Sequence, residues 1–275
     1  MDDRTTVRTL AERMSHRVLL NVPGSGTNEK LRQLIDRVNA DDDLYALWLA
    51  ANVNAVERLG MTDHGPVHVK IVMNIADKLF RLLVEGGIKP AAVLNHGLEL
   101  DDAEVIIALA ALLHDVGMSI HRADHEGFSL FIGYRKIEEL LEGIYDQATL
   151  STIRSETLHA IIAHRSGGKP LTLEAGIVRV ADSLDMAKGR SRIPFAAGSM
   201  SIHSVSAAAI EAVHLEAGTT TPVKLRIELS NAAGIFQLDQ LFREKLGGSG
   251  LEPYVEVEAD FIGDEEKRIV EKFTL

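Results

Sequence analysis

Apolar residues recur at three- and four-residue spacing through the first hundred residues, which predicts a series of amphipathic helices. The acidic triplet Asp41–Asp43 is placed to cap one helix that Gly60 ends, and Pro66 is placed in the first turn of the next. A second acidic start, Asp101–Asp102, precedes a nearly continuous apolar helix, for which Gly117 is the expected stop. Periodicity predicts three further helices, at about residues 122–143, 148–164 and 172–188.

The pattern changes after the segment GRSRIPF. AIEAVHLEAG and PVKLRIELSN are short and rich in β-branched residues, and YVEVEADF alternates strictly, so all three predict strands. IFQLDQLFREKL, which lies between the second and third, has helical spacing and ends in glycines. We therefore predict a mainly α protein with a small β-β-α-β unit at about residues 200–275. Dimerisation and lining of a cleft remain alternative roles for this unit, and we expect a homodimer.

Composition restricts the class of protein. Hydrophobic residues make up 46% of the 275 residues and charged residues 25%, as in ordinary soluble domains. The chain has no cysteine, which excludes thiolate metal ligands, and it shows neither a membrane-length apolar run nor a signal peptide, so we expect a cytoplasmic protein. The net charge of −11 argues against extensive binding to nucleic acid but allows a small phosphorylated substrate held by a few cations.

Histidines concentrate in the middle of the chain. Eight of the 11 lie between His64 and His164, and one follows the apolar helix in the sequence IIALAALLHDVG. Imidazole and carboxylate suit Zn, Mn, Fe and Ni, and six such ligands exceed what one tetrahedral zinc needs, so we predict two adjacent metal ions. The candidate ligands are His68, His114, Asp115, His125, His164 and Asp182.

Helical spacing also predicts how the remaining histidines are arranged. On one continuous helix, His64 would lie one turn before His68, and His121 one turn before His125. For His64 and His159 the sequence leaves two alternatives: orienting a metal ligand, or a structural role. Structural or surface roles are expected for His16, His96, His203 and His214.

The ordered ligand set resembles the HD-domain superfamily of metal-dependent phosphohydrolases, in its six-ligand binuclear branch, over about residues 61–195. The resemblance implies an all-helical core, preceded by a helical extension at residues 1–60. It also implies that Asp115 bridges two divalent ions (Mn, Fe, Ni or Zn, with Mg possible). The first ion would take as its other ligands His68, His114 and Asp182. The second would take His125 and His164.

The chain departs from HD-GYP phosphodiesterases, a related group, at three positions. Met118 stands where that group carries lysine, His164–Arg165 replaces its paired histidines, and GGKP replaces its Gly-Tyr-Pro turn. We therefore do not predict cyclic-dinucleotide hydrolysis. The segment ADSLDMAKGRSRIP and the C-terminal unit resemble uncharacterised predicted hydrolases of the superfamily instead.

These resemblances imply a phosphomonoesterase or phosphodiesterase acting on a nucleotide or another small phosphate ester through a metal-activated hydroxide. His121 is the candidate acid for the leaving oxygen. Candidate phosphate-binding cations are Arg122, Lys188, Arg190 and Arg192. The last three could equally interact with the carbonyl groups at a helix C-terminus or lie in a solvated loop. Two alternatives use the same fold: a mixed-valent di-iron oxygenase, and a non-catalytic nucleotide sensor, which usually loses its metal ligands.

Overall fold

A computed structural model describes residues 9–186, 208–262 and 272–274. None of the described helices is long and apolar enough to cross a bilayer. The helices up to residue 186 are α1 (Leu10–Ser15), α2 (Glu29–Ala40), α3 (Asp42–Asn52), α4 (Pro66–Glu85), α5 (Ala91–His96), α6 (Leu100–Leu113), α7 (His125–Leu141), α8 (Gln147–Ala163) and α9 (Leu173–Leu184).

Helix α6 is the centre of the helical core. Every residue from Asp102 to Leu113 is buried, because α2, α4, α8 and α9 pack around it. A helix that is apolar on all sides is stable only when it is enclosed in this way. The residues that follow α6, His114 and Asp115, therefore lie in the interior of the protein.

The predicted helix starts are confirmed at two positions. The Asp41 carboxylate caps α3 by accepting the backbone N–H of Leu44, and Pro66 occupies the first turn of α4. Helix α3 continues through a π-helical turn, Val53–Arg58, and Gly60 follows it with φ 64°. That left-handed conformation suits glycine.

The prediction for Gly117 needs correction, because helix α6 ends at Leu113 and Gly117 lies in a 3-10 turn, Val116–Ser119. A Cβ atom at Gly117 would lie 2.1 Å from the carbonyl oxygen of His125. Glycine is needed at position 117 because the start of α7 packs directly against this turn and leaves no room for a side chain. Gly117 does not cap a helix.

The helix predicted from residue 122 begins at His125, because Asp124 adopts a left-handed conformation with φ 58°. His121 therefore lies in the preceding loop and does not share a helical face with His125. His64 likewise precedes α4. Neither pair therefore lies on one continuous helix, although the rings of His64 and His68 lie 5.5 Å apart. The last helix ends at Leu184, and residues 187–188 of its predicted span lie outside the described residues.

The C-terminal unit is a four-stranded sheet with a helical crossover. Its strands are β1 (Ile210–Ala217), β2 (Val223–Leu229), β3 (Val255–Phe261) and β4 (Lys272–Thr274), in the order β1-β2-β3-β4. Strands β2 and β3 are parallel, and the other neighbours are antiparallel. Between β2 and β3, α10 (Ala233–Phe236) continues through a π-helical turn, Gln237–Phe242, into α11 (Arg243–Leu246).

This topology confirms the predicted mainly α fold with a small β-β-α-β unit, to which β4 adds a strand that the pattern did not predict. Alternate residues of β2 and β3 are buried, as their sequences predict. They belong to the same apolar core as α6, and β1 contacts α4 while α11 contacts α9. The unit therefore packs on the helical body. The homodimer and the three domain boundaries stay predictions.

Candidate metal centre

The structure brings all six candidate ligands together. They form two groups, and within each group the potential ligand atoms lie within 4.8 Å of one another. The elements that carry them are α4, the end of α6, the start of α7, the end of α8 and the last turn of α9. The first group consists of His68, His114 and Asp182. The second group consists of Asp115, His125 and His164.

Asp115 lies between the two groups, and each of its carboxylate oxygens faces one of them. Its Oδ2 is 3.3 Å from His68 Nε2 and 3.3 Å from His114 Nε2. Its Oδ1 is 3.2 Å from His125 Nε2 and 3.7 Å from His164 Nε2. Asp115 thus presents one carboxylate oxygen to the histidines of each ligand group.

Backbone carbonyls fix the orientation of two of the imidazole rings. His114 Nδ1 is 2.9 Å from the carbonyl oxygen of Ala111, and His164 Nδ1 is 2.6 Å from that of Ile161. A carbonyl oxygen only accepts, so each Nδ1 carries the proton and donates it. In the neutral rings, the lone pair is therefore on Nε2, which points into the cluster.

A carboxylate lies at Nδ1 of each of the other two rings, and His125 Nδ1 also lies 2.8 Å from the Arg122 guanidinium. His68 Nδ1 is 2.6 Å from Asp185 Oδ2, and His125 Nδ1 is 3.2 Å from Glu126 Oε2. A carboxylate at Nδ1 favours the tautomer with a lone pair on Nε2 and makes that nitrogen a stronger metal ligand. Helical spacing points to Asp185, one turn after Asp182, as a supporting residue, whereas it gives no such indication for Glu126.

The close approach of two imidazole nitrogens tests whether a metal fits. His68 Nε2 lies 3.2 Å from His114 Nε2. With both Nδ1 atoms protonated, two lone pairs face each other in the neutral rings, which is unfavourable unless a proton on one Nε2 or a metal ion lies between them. Nitrogen and carboxylate oxygen are ligands suited to divalent transition metals. The residues present therefore fit the metal that the sequence predicts.

The electrostatics of the cluster also favour a cation. Burial alone lowers the pKa of His114, but the negative charges of Asp115 and Asp182 outweigh it and raise this pKa to about 9. Burial raises the pKa of Asp115, but the surrounding histidines hold it well below its usual range. Both carboxylates therefore stay ionised in a nearly water-free site, where positive charge is strongly stabilised.

The turn that carries His114 and Asp115 is held by Ser129 of α7. The Ser129 hydroxyl donates to the carbonyl oxygen of His114 at 2.7 Å and accepts the N–H of Gly117 at 2.8 Å. Ser129 is fully buried, so these bonds are shielded from competition by water. This contact and the missing Cβ at Gly117 let α7 approach closely and bring His125 to Asp115.

The candidate substrate residues are only partly within the described chain. Arg122 and His121 are exposed residues in the loop before α7. The Arg122 Nη1 lies 2.8 Å from His125 Nδ1, which places this guanidinium beside the second group. His121 Nδ1 accepts the N–H of Ala123 at 3.0 Å. The remaining candidates lie outside the described residues: Lys188, Arg190 and Arg192.

The other described histidines have partners of their own. His64 Nδ1 lies 2.7 Å from the carbonyl oxygen of Thr62, and His159 Nε2 accepts the N–H of Leu171. Neither belongs to the two ligand groups. The ring of His64 nevertheless lies 5.5 Å from that of His68, so its metal-supporting role stays a prediction, as does that of His159. His16, His96 and His214 also lie away from the ligand groups, and His203 is outside the described residues.

The sequence did not indicate Lys245 of α11. Its Nζ donates to the carbonyl oxygen of His164 at 2.6 Å and lies 3.5 Å from Asp182 Oδ2. Burial raises the pKa of Asp182, but the positive charges of Lys245 and His114 outweigh it and hold this pKa below its usual range. Lys245 could not be found by local spacing, because it reaches the centre from the C-terminal unit.

Asp185→Ala is expected to weaken Mn²⁺ binding about 10- to 100-fold, because His68 loses the acceptor that orients it. Isothermal titration of the metal-free protein with Mn²⁺ would measure this change. Asp36→Ala, the same substitution on the exposed face of α2, is the control and should bind Mn²⁺ like the wild type. Equal affinities in the two variants would mean that Asp185 only ends α9.

The comparisons with known proteins agree with this geometry. The HD domain family matches residues 67–187. The chain is also 42% identical, over 244 residues, to the uncharacterised protein MJ1020 of Methanocaldococcus jannaschii. This match covers 89% of the chain and 93% of the relative. No solved structure matches the chain. With its HD domain match and this nearly full-length relative, the chain belongs to the HD-domain family.

Proposed function

We propose that this protein is a metal-dependent phosphohydrolase that acts on a nucleotide or another small phosphate ester with two divalent ions. HD-domain proteins are generally metal-dependent phosphohydrolases, and this chain has His/Asp groups that could hold metal. The observation that carries the proposal is the position of Asp115, with one oxygen toward each ligand group. A carboxylate in this position can bridge a pair of adjacent ions.

The two groups would divide the ions between them, with Asp115 shared. The first ion would be held by the first group and the second by His125 and His164. When bound, such ions supply Lewis-acid chemistry, since they acidify water and neutralise negative charge on a phosphoryl group. The chain's part is to orient the four histidine ligands before the ions arrive, through the acceptors at each Nδ1.

Arg122 is suited to bind the phosphate because of its relation to His125. Metal ligation through Nε2 leaves the proton on His125 Nδ1, where it can donate to Glu126 or to the carbonyl oxygen of Arg122 at 3.1 Å. A protonated Nδ1 cannot accept from the Arg122 guanidinium. The guanidinium would then turn away from the ring, and its planar fork would be available for phosphoryl oxygens.

His121 is the candidate proton donor to the leaving oxygen. Because its Nδ1 accepts a backbone N–H, the neutral ring carries its proton on Nε2. As a general acid the ring would be an imidazolium, which releases the Ala123 N–H, gives its Nε2 proton to the leaving oxygen and returns to the neutral form. The side chain is exposed, so solvent can protonate it again, and it lies in the same loop as Arg122.

Metal analysis followed by an activity panel tests the proposal. The purified protein would be analysed for bound metals, stripped with chelator, reloaded separately with Mn²⁺, Fe²⁺, Ni²⁺, Zn²⁺ or Mg²⁺, and assayed on phosphomonoesters, phosphodiesters and nucleotides. We expect close to two ions per chain, with hydrolysis that is lost on stripping and restored on reloading. The stripped protein in the same assay is the control.

Two outcomes would replace the proposal. Oxygen consumption by an iron-loaded protein that hydrolyses nothing in the panel would identify the di-iron oxygenase. Tight nucleotide binding by the metal-loaded protein without turnover would identify the sensor. The intact set of six ligands argues against a sensor, since loss of ligands is its usual mark.

A further inference from the structure

Lys245 places a positive charge from the C-terminal unit at the metal centre. Its ammonium group is 3.5 Å from Asp182 Oδ2, whereas the other oxygen of that carboxylate, Oδ1, is 3.6 Å from His68 Nε2. Asp182 thus presents one oxygen to the first ligand group and the other to Lys245. No other lysine or arginine of the described residues forms an ion pair with a candidate ligand.

This ammonium lies on the accessible side of the centre. The side chains of Asp182 and Lys245 are 20% and 21% exposed, whereas those of His68 and His114 are fully buried. Asp115 and the remaining histidines are also buried. Asp182 and Lys245 are thus more accessible to solvent than the buried ligands of the centre.

The backbone of Lys245 is held firmly. The buried guanidinium of Arg179 donates to the carbonyl oxygens of Lys245 at 3.0 Å and Glu244 at 3.1 Å. Close packing supports this contact, since a Cβ at Gly176 would meet the carbonyl oxygen of Ser249 at 2.2 Å. Helices α9 and α11 therefore keep a constant separation, and the position of the ammonium follows from it.

The contacts of the Lys245 ammonium with the described residues use two of its three N–H groups. An ammonium has three N–H groups. One donates to the carbonyl oxygen of His164, and one faces Asp182. Among the described residues, no acceptor for the third is found. A strongly hydrated point charge with a spare donor beside a metal centre is suited to an oxyanion ligand.

We propose that Lys245 binds the phosphoryl group of the substrate, so that the C-terminal unit completes the active site. This inference rests on the proposed phosphohydrolase function. Lys245 would supply a positive charge that Met118, at the position where related phosphodiesterases carry a lysine, does not. Its charge reaches the centre from another part of the chain, which gives the C-terminal unit a direct part in recognising substrate.

The competing explanation is that Lys245 only ties α11 to the end of α8 through the carbonyl oxygen of His164. The two explanations differ in what loss of the charge does. Removing a cation next to Asp182 leaves metal binding equal or slightly stronger, because like charges repel. Removing a phosphate ligand weakens phosphate binding, whereas a tether affects stability and, through His164, metal binding.

The experiment measures Mn²⁺ binding to the metal-free protein and inorganic phosphate binding to the Mn²⁺-loaded protein, both by titration calorimetry. Lys245→Gln should keep Mn²⁺ affinity at or above that of the wild type and weaken phosphate binding about 10- to 100-fold. Lys245→Arg keeps the charge and should bind phosphate within about threefold of the wild type. Arg243→Gln is the matched control, since Arg243 lies on the same helix, is 58% exposed and pairs with Asp239.

A second measurement uses the unaltered protein, in case Lys245→Gln does not fold. Reductive methylation of the Mn²⁺-loaded protein, followed by mass spectrometry, should modify Lys245 several-fold more slowly when phosphate is present. The exposed Lys89, which lies outside the centre, is the internal control and should react equally with and without phosphate.

Each outcome bears on one proposal or on both. Wild-type phosphate affinity in Lys245→Gln, or no protection of Lys245 by phosphate, would overturn the inference and leave the phosphohydrolase proposal standing. Weaker Mn²⁺ binding in Lys245→Gln would identify a structural tether and also overturn the inference. A wild-type protein that binds no Mn²⁺ would overturn the proposed function, and this inference with it.

Discussion

Asp115→Ala is expected to abolish both hydrolysis and tight binding of a second metal ion. Its two oxygens face the two ligand groups at 3.2–3.3 Å, so no other side chain of the cluster is placed to replace it. Loss of a bridging charge also removes the strongest local attraction for divalent ions. We expect Mn²⁺ stoichiometry to fall from about two to one or none and kcat to fall at least about 1000-fold.

Asp115→Asn removes the negative charge but keeps the side-chain volume and one carbonyl oxygen. It therefore separates the effect of charge from the effect of shape. It should resemble Asp115→Ala in stoichiometry if the charge is what holds the ions. Asp36→Asn on the surface of α2 is the control for loss of a carboxylate, and far-UV circular dichroism checks that each variant folds. Two bound ions and wild-type turnover in Asp115→Ala would show that the centre does not use a bridging carboxylate.

The helical architecture and the candidate ligands could be predicted because both leave local patterns. The apolar run of α6 indicates a central buried helix, and the dipeptide His114–Asp115 at its end must then lie in the interior. A buried polar pair needs polar or metal partners. The other four candidate ligands, in their order along the chain, indicate which residues these partners are. Alternation likewise predicts β2 and β3, because one face of each is buried.

Features that depend on tertiary contacts could not be predicted in this way. The start of α7 is set by the left-handed Asp124 and by the fit of Gly117 against His125, and neither alters the apolar period. Lys245 also looks like any lysine on a short helix, and only the packing of α11 on α9 brings it to Asp182. Strand β4 has three residues, too few to show a periodicity.

Arg179 of α9 is the structural link between the metal centre and the C-terminal unit. It is 2% exposed, and its guanidinium donates to backbone carbonyl oxygens on two sides. On one side are the carbonyls of the turn that follows His164, with Arg165 at 2.7 Å and Gly168 at 2.9 Å. On the other side are those of α11, with Lys245 at 3.0 Å. Burial lowers the pKa of Arg179, yet the side chain stays charged because an arginine pKa starts so high.

Arg179→Met is therefore expected to lower the free energy of unfolding by about 3–5 kcal/mol, because several buried carbonyl groups lose their donor. Urea denaturation followed by circular dichroism would measure this loss. Mn²⁺ binding should weaken as well, since the turn that follows the ligand His164 is held by the guanidinium.

The control is Arg226→Met on the surface of the sheet, where Arg226 pairs with Glu216 and Glu228. Exposed pairs contribute little, so this variant should lose less than about 1 kcal/mol and bind Mn²⁺ normally. If Arg179→Met matched Arg226→Met in stability and in Mn²⁺ affinity, the C-terminal unit would be held by its apolar contacts alone. The metal centre would then be independent of the C-terminal unit, contrary to what the contacts of Arg179 predict.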